Sequence, residues 1–224
     1  MATKRSLVFT NEYVYHVFNR GIESRTIFTD QREYVRFLNT VEYYHYASTP
    51  LSYSKFLLQT IQNRNKILEN LLSTKMHITL LAYCLLPNHF HFLIRQNIDN
   101  GISTFVSNIS DSYTRFFNIK HDREGPLFQG TFKAVFIEDE DQLIHVSRYI
   151  HINPVISSKT SIQNLSSYQW SSYPAYIQHI DENRVDTSII LSQFSSKQSY
   201  ESFVLDQVGY AKELDKVKHL TLEE

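Results

Sequence analysis

The tripeptide His89-Phe90-His91 lies in a run of residues that reads as a β-strand. Strand side chains alternate faces, so the two imidazoles point one way while Phe90 and Phe92 point the other. At a rise of ~3.3 Å per residue their Cα atoms stand about 7 Å apart, close enough for both rings to reach one divalent ion. Imidazole suits manganese, zinc, nickel and similar ions. A metal with two protein ligands is open and leaves room for a phosphate oxygen. Taken alone, the pair reads at least as well as two solvated histidines on a strand, because ten histidines make it easy to obtain by chance.

A second group, Arg148-Tyr149-Ile150-His151-Ile152-Asn153-Pro154, follows about sixty residues later. At ~100° per residue Leu143, Val146 and Ile150 form an apolar stripe, and His145, Tyr149 and Asn153, spaced by four, line a polar stripe beside it. A tyrosine there sits at the edge of a helix–sheet junction and can reach a substrate held on the sheet. Asn153 offers an oxygen to a metal, and His145, one turn before Tyr149, is a geometrically possible base, although a solvent-facing role suits it better. A helical tyrosine is more often packing, and 15 tyrosines weaken the claim of any one. Tyr113 is another tyrosine on a helical pattern, but Phe116 and Phe117 beside it suggest packing.

Elements must hold these residues in place. Tyr13–Phe18 reads as a strand closed by the turn Asn19-Arg20-Gly21. Thr29-Asp30, with Glu33 behind it, starts a helix carrying Tyr34, Phe37, Leu38 and Val41 at helical spacing. Residues 53–72 form one further helical pattern. Ile78–Leu86 is apolar throughout, a strand buried on both faces. Pro87-Asn88 turns it into the antiparallel strand His89–Arg95. Ile102–Asn118 is a helix, 121–130 a loop and Phe132–Ile137 a strand. The acids at 138–141 suit the N-terminus of a helix over Leu143–Asn153, which Pro154 ends. The order β, α, β, β, α, β and a further helix is the α+β, ferredoxin-like split βαβ arrangement: an antiparallel sheet with helices on one face. The reading gives one domain over residues 1–180 with a helical insertion at about 50–75. From about Val155 onward the chain reads as irregular structure and short helices, such as Gln198–Leu214, and residues 181–224 form a C-terminal helical extension packed on the core.

Composition narrows the partners. The 14% aromatic content feeds a core and also offers rings that stack on unpaired bases. A net charge of −1 counts against a protein living on duplex backbone charge, so a local basic path must serve any nucleic acid. Arg115, Lys120, Arg123 and Lys133 cluster around the middle helix and its loop as candidates, diluted by Asp111, Asp122 and Glu124. The one cysteine, Cys84, lies inside an apolar strand and cannot form an internal disulfide, which fits a reducing cytoplasm. The N-terminus lacks the pattern of a signal peptide, and no run approaches the length of a membrane span.

Five blocks in register resemble the HUH single-tyrosine transposases, above all the REP-associated tyrosine transposases. They are Tyr15-His16-Val17-Phe18-Asn19-Arg20-Gly21, Tyr83 through Ile94 around the histidine pair, Ser112 through Asn118, Gly125 through Lys133, and Tyr149 through Val155. The resemblance covers roughly residues 10–180. It implies a strand transferase that cleaves and rejoins single-stranded or hairpin DNA through a 5′-phosphotyrosine, with Tyr149 as nucleophile and a divalent metal, Mg2+ or Mn2+, on His89 and His91. Insertion-sequence relatives complete the metal site with a Gln four residues after the tyrosine. Asn153 stands at that position here and is one methylene shorter, so a water is an alternative bridge. The resemblance leaves open a monomer or a homodimer. Two rivals remain: an HUH nickase of the replication or conjugation type, and a DNA-binding protein that kept the fold without the chemistry.

Overall fold

The computed structural model describes residues 7–178 and 184–206. Its strands are β1 (Val14–Arg20), β2 (Ile78–Leu86), β3 (His89–Gln96) and β4 (Lys133–Phe136), and they form one sheet in the order β2-β3-β1-β4. That antiparallel order is the ferredoxin-like one expected from the element sequence. β1 alternates cleanly, with Tyr15, Val17 and Asn19 buried, and it pairs with β4 from Tyr15↔Phe136 to Phe18↔Lys133. β4 is shorter than the run 132–137 and lies at the sheet edge, with Lys133 and Val135 exposed.

The described chain falls into two compact units. The first holds the residues up to Thr79 with Pro87–His89 and Ile94–Phe136, and the second holds Leu80–Leu86, Phe90–Leu93 and the residues from Ile137 onward. In the first, α1 (Gln31–Tyr44) packs against α4 (Gly101–Lys120). The start of α1 is where the sequence puts it. The Asp30 carboxylate accepts from Glu33 N at 3.1 Å and Glu33 accepts from Thr29 N at 2.5 Å, a reciprocal cap. The Glu33 side chain is fully buried, and its carboxylate also accepts from Lys120 Nζ at 2.7 Å and His121 Nε2 at 2.5 Å. Burial pushes that carboxyl up, but the bonds from Lys120, Thr29 and His121 outweigh it and hold its pKa below the ordinary value.

The helical pattern over 53–72 is two helices, α2 (Tyr53–Leu57) and α3 (Ile61–Leu72). The break comes at Thr60, whose extended backbone and hydroxyl, accepting from Asn63 N at 3.3 Å, start a new N-terminus.

The second unit contains α5 (Glu140–Ile156), α6 (Tyr173–Ile177), α7 (Ser188–Leu191) and α8 (Lys197–Leu205), with α8 against α5 and α6. Residues 168–176 are ordered for a reason the sequence pattern conceals. They cover β2, which is an edge strand. Leu85 N donates to Trp170 O at 2.8 Å and Ser172 N to Tyr83 O at 3.0 Å. Tyr168 and Tyr176 donate their hydroxyls to Leu85 O and Leu81 O at 2.8 and 2.6 Å. An edge strand so covered no longer invites pairing with another chain. α5 runs through Pro154 to Ile156 rather than stopping before it. The proline lies in the last turn, where Ser157 N and Ser158 N take up the Asn153 and Val155 carbonyls at 2.9 and 3.1 Å. Of the helix expected over Gln198–Leu214, α8 accounts for the part up to Leu205, and the part beyond 206 lies outside the described residues.

Candidate active site

The strand that carries the histidines is anchored at its start. The turn carbonyl of Pro87 accepts from Ile27 N at 2.7 Å and Phe28 N at 3.0 Å, and that of Asn88 accepts from Gly21 N at 2.8 Å. Gly21 is required there, since a Cβ would stand 2.3 Å from the Arg25 carbonyl oxygen. The Asn88 side chain then turns to its neighbour, and its Oδ1 lies 2.7 Å from His89 Nδ1. An amide oxygen only accepts, so Nδ1 carries the proton and Nε2 is the basic nitrogen. A metal-binding histidine is fixed in the same way, through its second nitrogen.

His91, two residues on, is 6% exposed. Phe90 and Phe92 are fully buried with ring centroids 4.8 Å apart, as alternation requires. Within the second unit the Tyr149 ring meets His91 edge to face at 5.7 Å between centroids. Tyr149 is half-buried, and the contact is made within one chain. Asn153, one turn later, is buried, and its Oδ1 accepts from Ser157 Oγ at 3.0 Å, which leaves that oxygen a second lone pair. Among the described residues no three His, Cys, Asp or Glu side chains stand together to hold a metal ion. By their chemistry alone, the two imidazoles and the neutral amide oxygen expected from the sequence are a donor set that suits an open divalent site.

Tyr113 sits elsewhere. It is fully buried, packs against Phe37 at 5.0 Å and Phe28 at 5.4 Å, and donates its hydroxyl to Ile27 O at 2.5 Å. Burial first, then the nearby Glu33 carboxylate, drive its pKa far above that of an ordinary phenol. This is the packing role that its aromatic neighbours suggest. His145 is exposed, and its Nδ1 accepts from Arg148 at 2.5 Å, which occupies the nitrogen a general base would use.

The basic candidates divide. Lys120 is spent on Asp30 and Glu33, both at 2.7 Å. Arg123 braces its loop through Asn118 and, at 3.0 Å, the Pro126 carbonyl. Arg115 and Lys133 are exposed.

Sequence reasoning passed over the other face of α5. The buried stripe runs Leu143, Ser147, Ile150, His151, in place of the expected Leu143, Val146, Ile150. His151 is fully buried, with Nδ1 2.7 Å from the Tyr200 hydroxyl and Nε2 2.8 Å from Ser172 Oγ. Burial pushes its pKa down to about 3, so it is neutral near pH 7. Tyr200 donating to Nδ1, Nε2–H donating to Ser172, and Ser172 donating to Tyr83 O at 3.3 Å satisfy every group. The signal was present: Ser147 and His151 are four apart and flank Ile150, on the inner face of a helix.

The sequence matches the family described as "Transposase IS200 like" over residues 39–153, which spans the histidine pair, Tyr149 and Asn153. No curated protein matches the chain significantly. Among solved structures, it is similar to a REP-associated tyrosine transposase bound to a REP hairpin, with a TM-score of 0.53 at 14% identity over 83% of this chain and 98% of the other. That likeness bears on the fold. With about half of its length matched in sequence, the chain belongs to the IS200-like transposase family.

Proposed function

We propose that this protein is a metal-dependent strand transferase that cleaves and rejoins single-stranded or hairpin DNA, with Tyr149 as the nucleophile and His89 and His91 as ligands of a divalent ion, Mg2+ or Mn2+. The observation that carries the reading is the Tyr149 ring against the His91 ring at 5.7 Å on a residue that solvent still reaches. The hairpin held by the similar REP-associated transposase supports DNA of that kind as the partner.

Tyr149 Oη attacks the phosphorus, the bond to the 3′ oxygen breaks, and a phosphotyrosyl bond to the 5′ side forms. The phenolic proton leaves to water, and the released 3′ oxygen takes one up. The covalent bond keeps the energy of the broken diester, so the reverse attack by a 3′-hydroxyl rejoins the strand without ATP. When bound, the ion neutralises charge on a non-bridging phosphate oxygen and eases ionisation of a phenol whose ordinary pKa is ~10. Asn88 holds His89 in the tautomer whose Nε2 can bind, Asn153 offers an oxygen directly or through a water, and Arg115 and Lys133 guide the strand. The His151 network fixes how α5 is turned, and so where Tyr149 points.

A hairpin oligonucleotide with a single-stranded flank, incubated with the protein and Mn2+ or Mg2+, tests the reading. A covalent adduct that withstands denaturing gel electrophoresis and needs the metal is expected. Tight binding without an adduct on any such substrate would instead favour a DNA-binding protein that kept only the fold.

A further inference from the structure

Two histidines outside the site above face each other where the end of α1 meets the start of β2. Tyr46 and Met76 form an isolated antiparallel bridge. It is bracketed by His77 N donating to His45 O at 2.8 Å and by Ala47 N donating to Lys75 O at 2.9 Å. That register sets His45 directly across from His77, and residues so paired hold their Cβ atoms roughly 5 Å apart on one face. The backbone beneath them is fixed. The His77 carbonyl also accepts from Asn97 N at 3.1 Å, and a Cβ on Gly101, the first residue of α4, would stand 2.2 Å from the same oxygen.

The rings supply the donors. His77 is 7% exposed, and its Nδ1 is shut off from solvent with no hydrogen-bond partner among the described residues. The His45 ring donates to the backbone of Ile78, while its Nε2 is likewise buried without a partner. The proton of His45 therefore sits on Nδ1, and Nε2 keeps its lone pair. A bond from the second nitrogen to a carbonyl is how a metal-binding histidine is oriented. Burial pushes the pKa of both rings below the ordinary imidazole value, and the nearby His77 adds to the effect on His45. Both rings are then neutral near pH 7, the form that binds a metal. Two facing residues that each bury an unbonded ring nitrogen have the makings of an ion site.

The donor set selects the ion. No third His, Cys, Asp or Glu stands with the pair among the described residues. Without carboxylates the pair does not suit Mg2+ or Ca2+, which take oxygen ligands. Two neutral imidazoles suit Zn2+, Ni2+ or Cu2+, with water in the remaining positions.

We propose that His45 Nε2 and His77 Nδ1 bind one zinc-type divalent ion, which clips the end of α1 to the start of β2. The site uses neither His89 nor His91 and does not depend on the DNA-processing reading. An ion bound by the folded chain alone stabilises it by mass action.

The test is a titration with Zn2+ alone of the full chain carrying His89→Ala and His91→Ala, so that the candidate catalytic ligands are absent. Calorimetry should give one Zn2+ per chain, and saturating Zn2+ should raise the melting temperature. Adding either His45→Gln or His77→Gln should weaken the Zn2+ affinity at least about tenfold, since losing a mere orienting partner already has that effect. Either substitution should also cancel the melting shift. Should His77→Gln fold poorly at its buried position, the histidine ring NMR signals of the His89→Ala, His91→Ala chain decide the matter: Zn2+ should shift those of His45 and His77 before those of any other histidine. No Zn2+ binding, binding that either substitution leaves unweakened, or first shifts at other histidines overturns the site.

Discussion

Tyr113 on α4 and Tyr149 on α5 are the same side chain on two amphipathic helices, each in a segment that resembles a transposase block. Their surroundings differ completely. Tyr113 lies inside an aromatic cluster with its hydroxyl fixed on the Ile27 carbonyl and its ionisation suppressed by burial. Tyr149 is half-buried beside a histidine of the β3 strand. One phenol is held neutral and out of reach of solvent, and the other is still reached by solvent. The lesson is that the partner on the adjoining strand, rather than the helix or its motif, separates the buried packing tyrosine from the one proposed as the nucleophile.

The largest expected effect breaks the pair apart. Tyr149→Phe should abolish adduct formation while leaving the melting temperature near that of wild type. Tyr113→Phe should keep the adduct and instead lose about 1–2 kcal/mol of stability in a denaturant titration, because a buried carbonyl loses its donor. The reverse pattern would exchange the two roles.

Next come the strand residues. His91→Ala and His89→Ala should each remove metal-dependent adduct formation. Asn88→Ala should retain it but weaken the apparent metal affinity about tenfold, the lower end of what a lost orienting bond costs. Metal titration of cleavage measures all three. If Asn88→Ala equals wild type, the tautomer argument fails. Asn153→Ala should fall between Asn88→Ala and wild type when a water can replace its oxygen.

His151 sharpens the contrast through pH. Its pKa is about 3 folded against 6.5 unfolded, so below pH 6.5 the unfolded chain takes up a proton that the folded chain refuses. That contribution to stability is complete above about pH 6.5 and is lost as the pH falls toward about 3, by up to ~1.4 kcal/mol per unit. Thermal melts from pH 7 to pH 4.5 should therefore decline less steeply in His151→Leu than in wild type, whatever the variant's absolute stability. Parallel slopes would mean that His151 titrates as it does in water.

Much of this was legible in the sequence because the signals were local. The two histidines of β3, the Thr29-Asp30 helix start and the apolar β2 strand each follow from spacing or capping within a few residues. What escaped depends on distant partners. Nothing near residues 168–176 says that they cover the edge of β2. Val146 and Ser147 are neighbours, and which one faces inward was decided by Tyr200, over fifty residues away. Lys120 looked available to DNA because its acceptors, Asp30 and Glu33, lie ninety and eighty-seven residues earlier. The break at Thr60 was a local signal, a capping residue inside a helical pattern, and it was outweighed by the apolar periodicity on either side.

The central claim is that the phenol against His91 becomes bonded to DNA. Digesting the covalent adduct with protease and nuclease, then sequencing the nucleotide-bearing peptide by mass spectrometry, locates that bond directly. The account predicts a 5′-phosphate on Tyr149, in the peptide that contains Ile150 and His151. A nucleotide on Tyr113, or on any other residue, would contradict it.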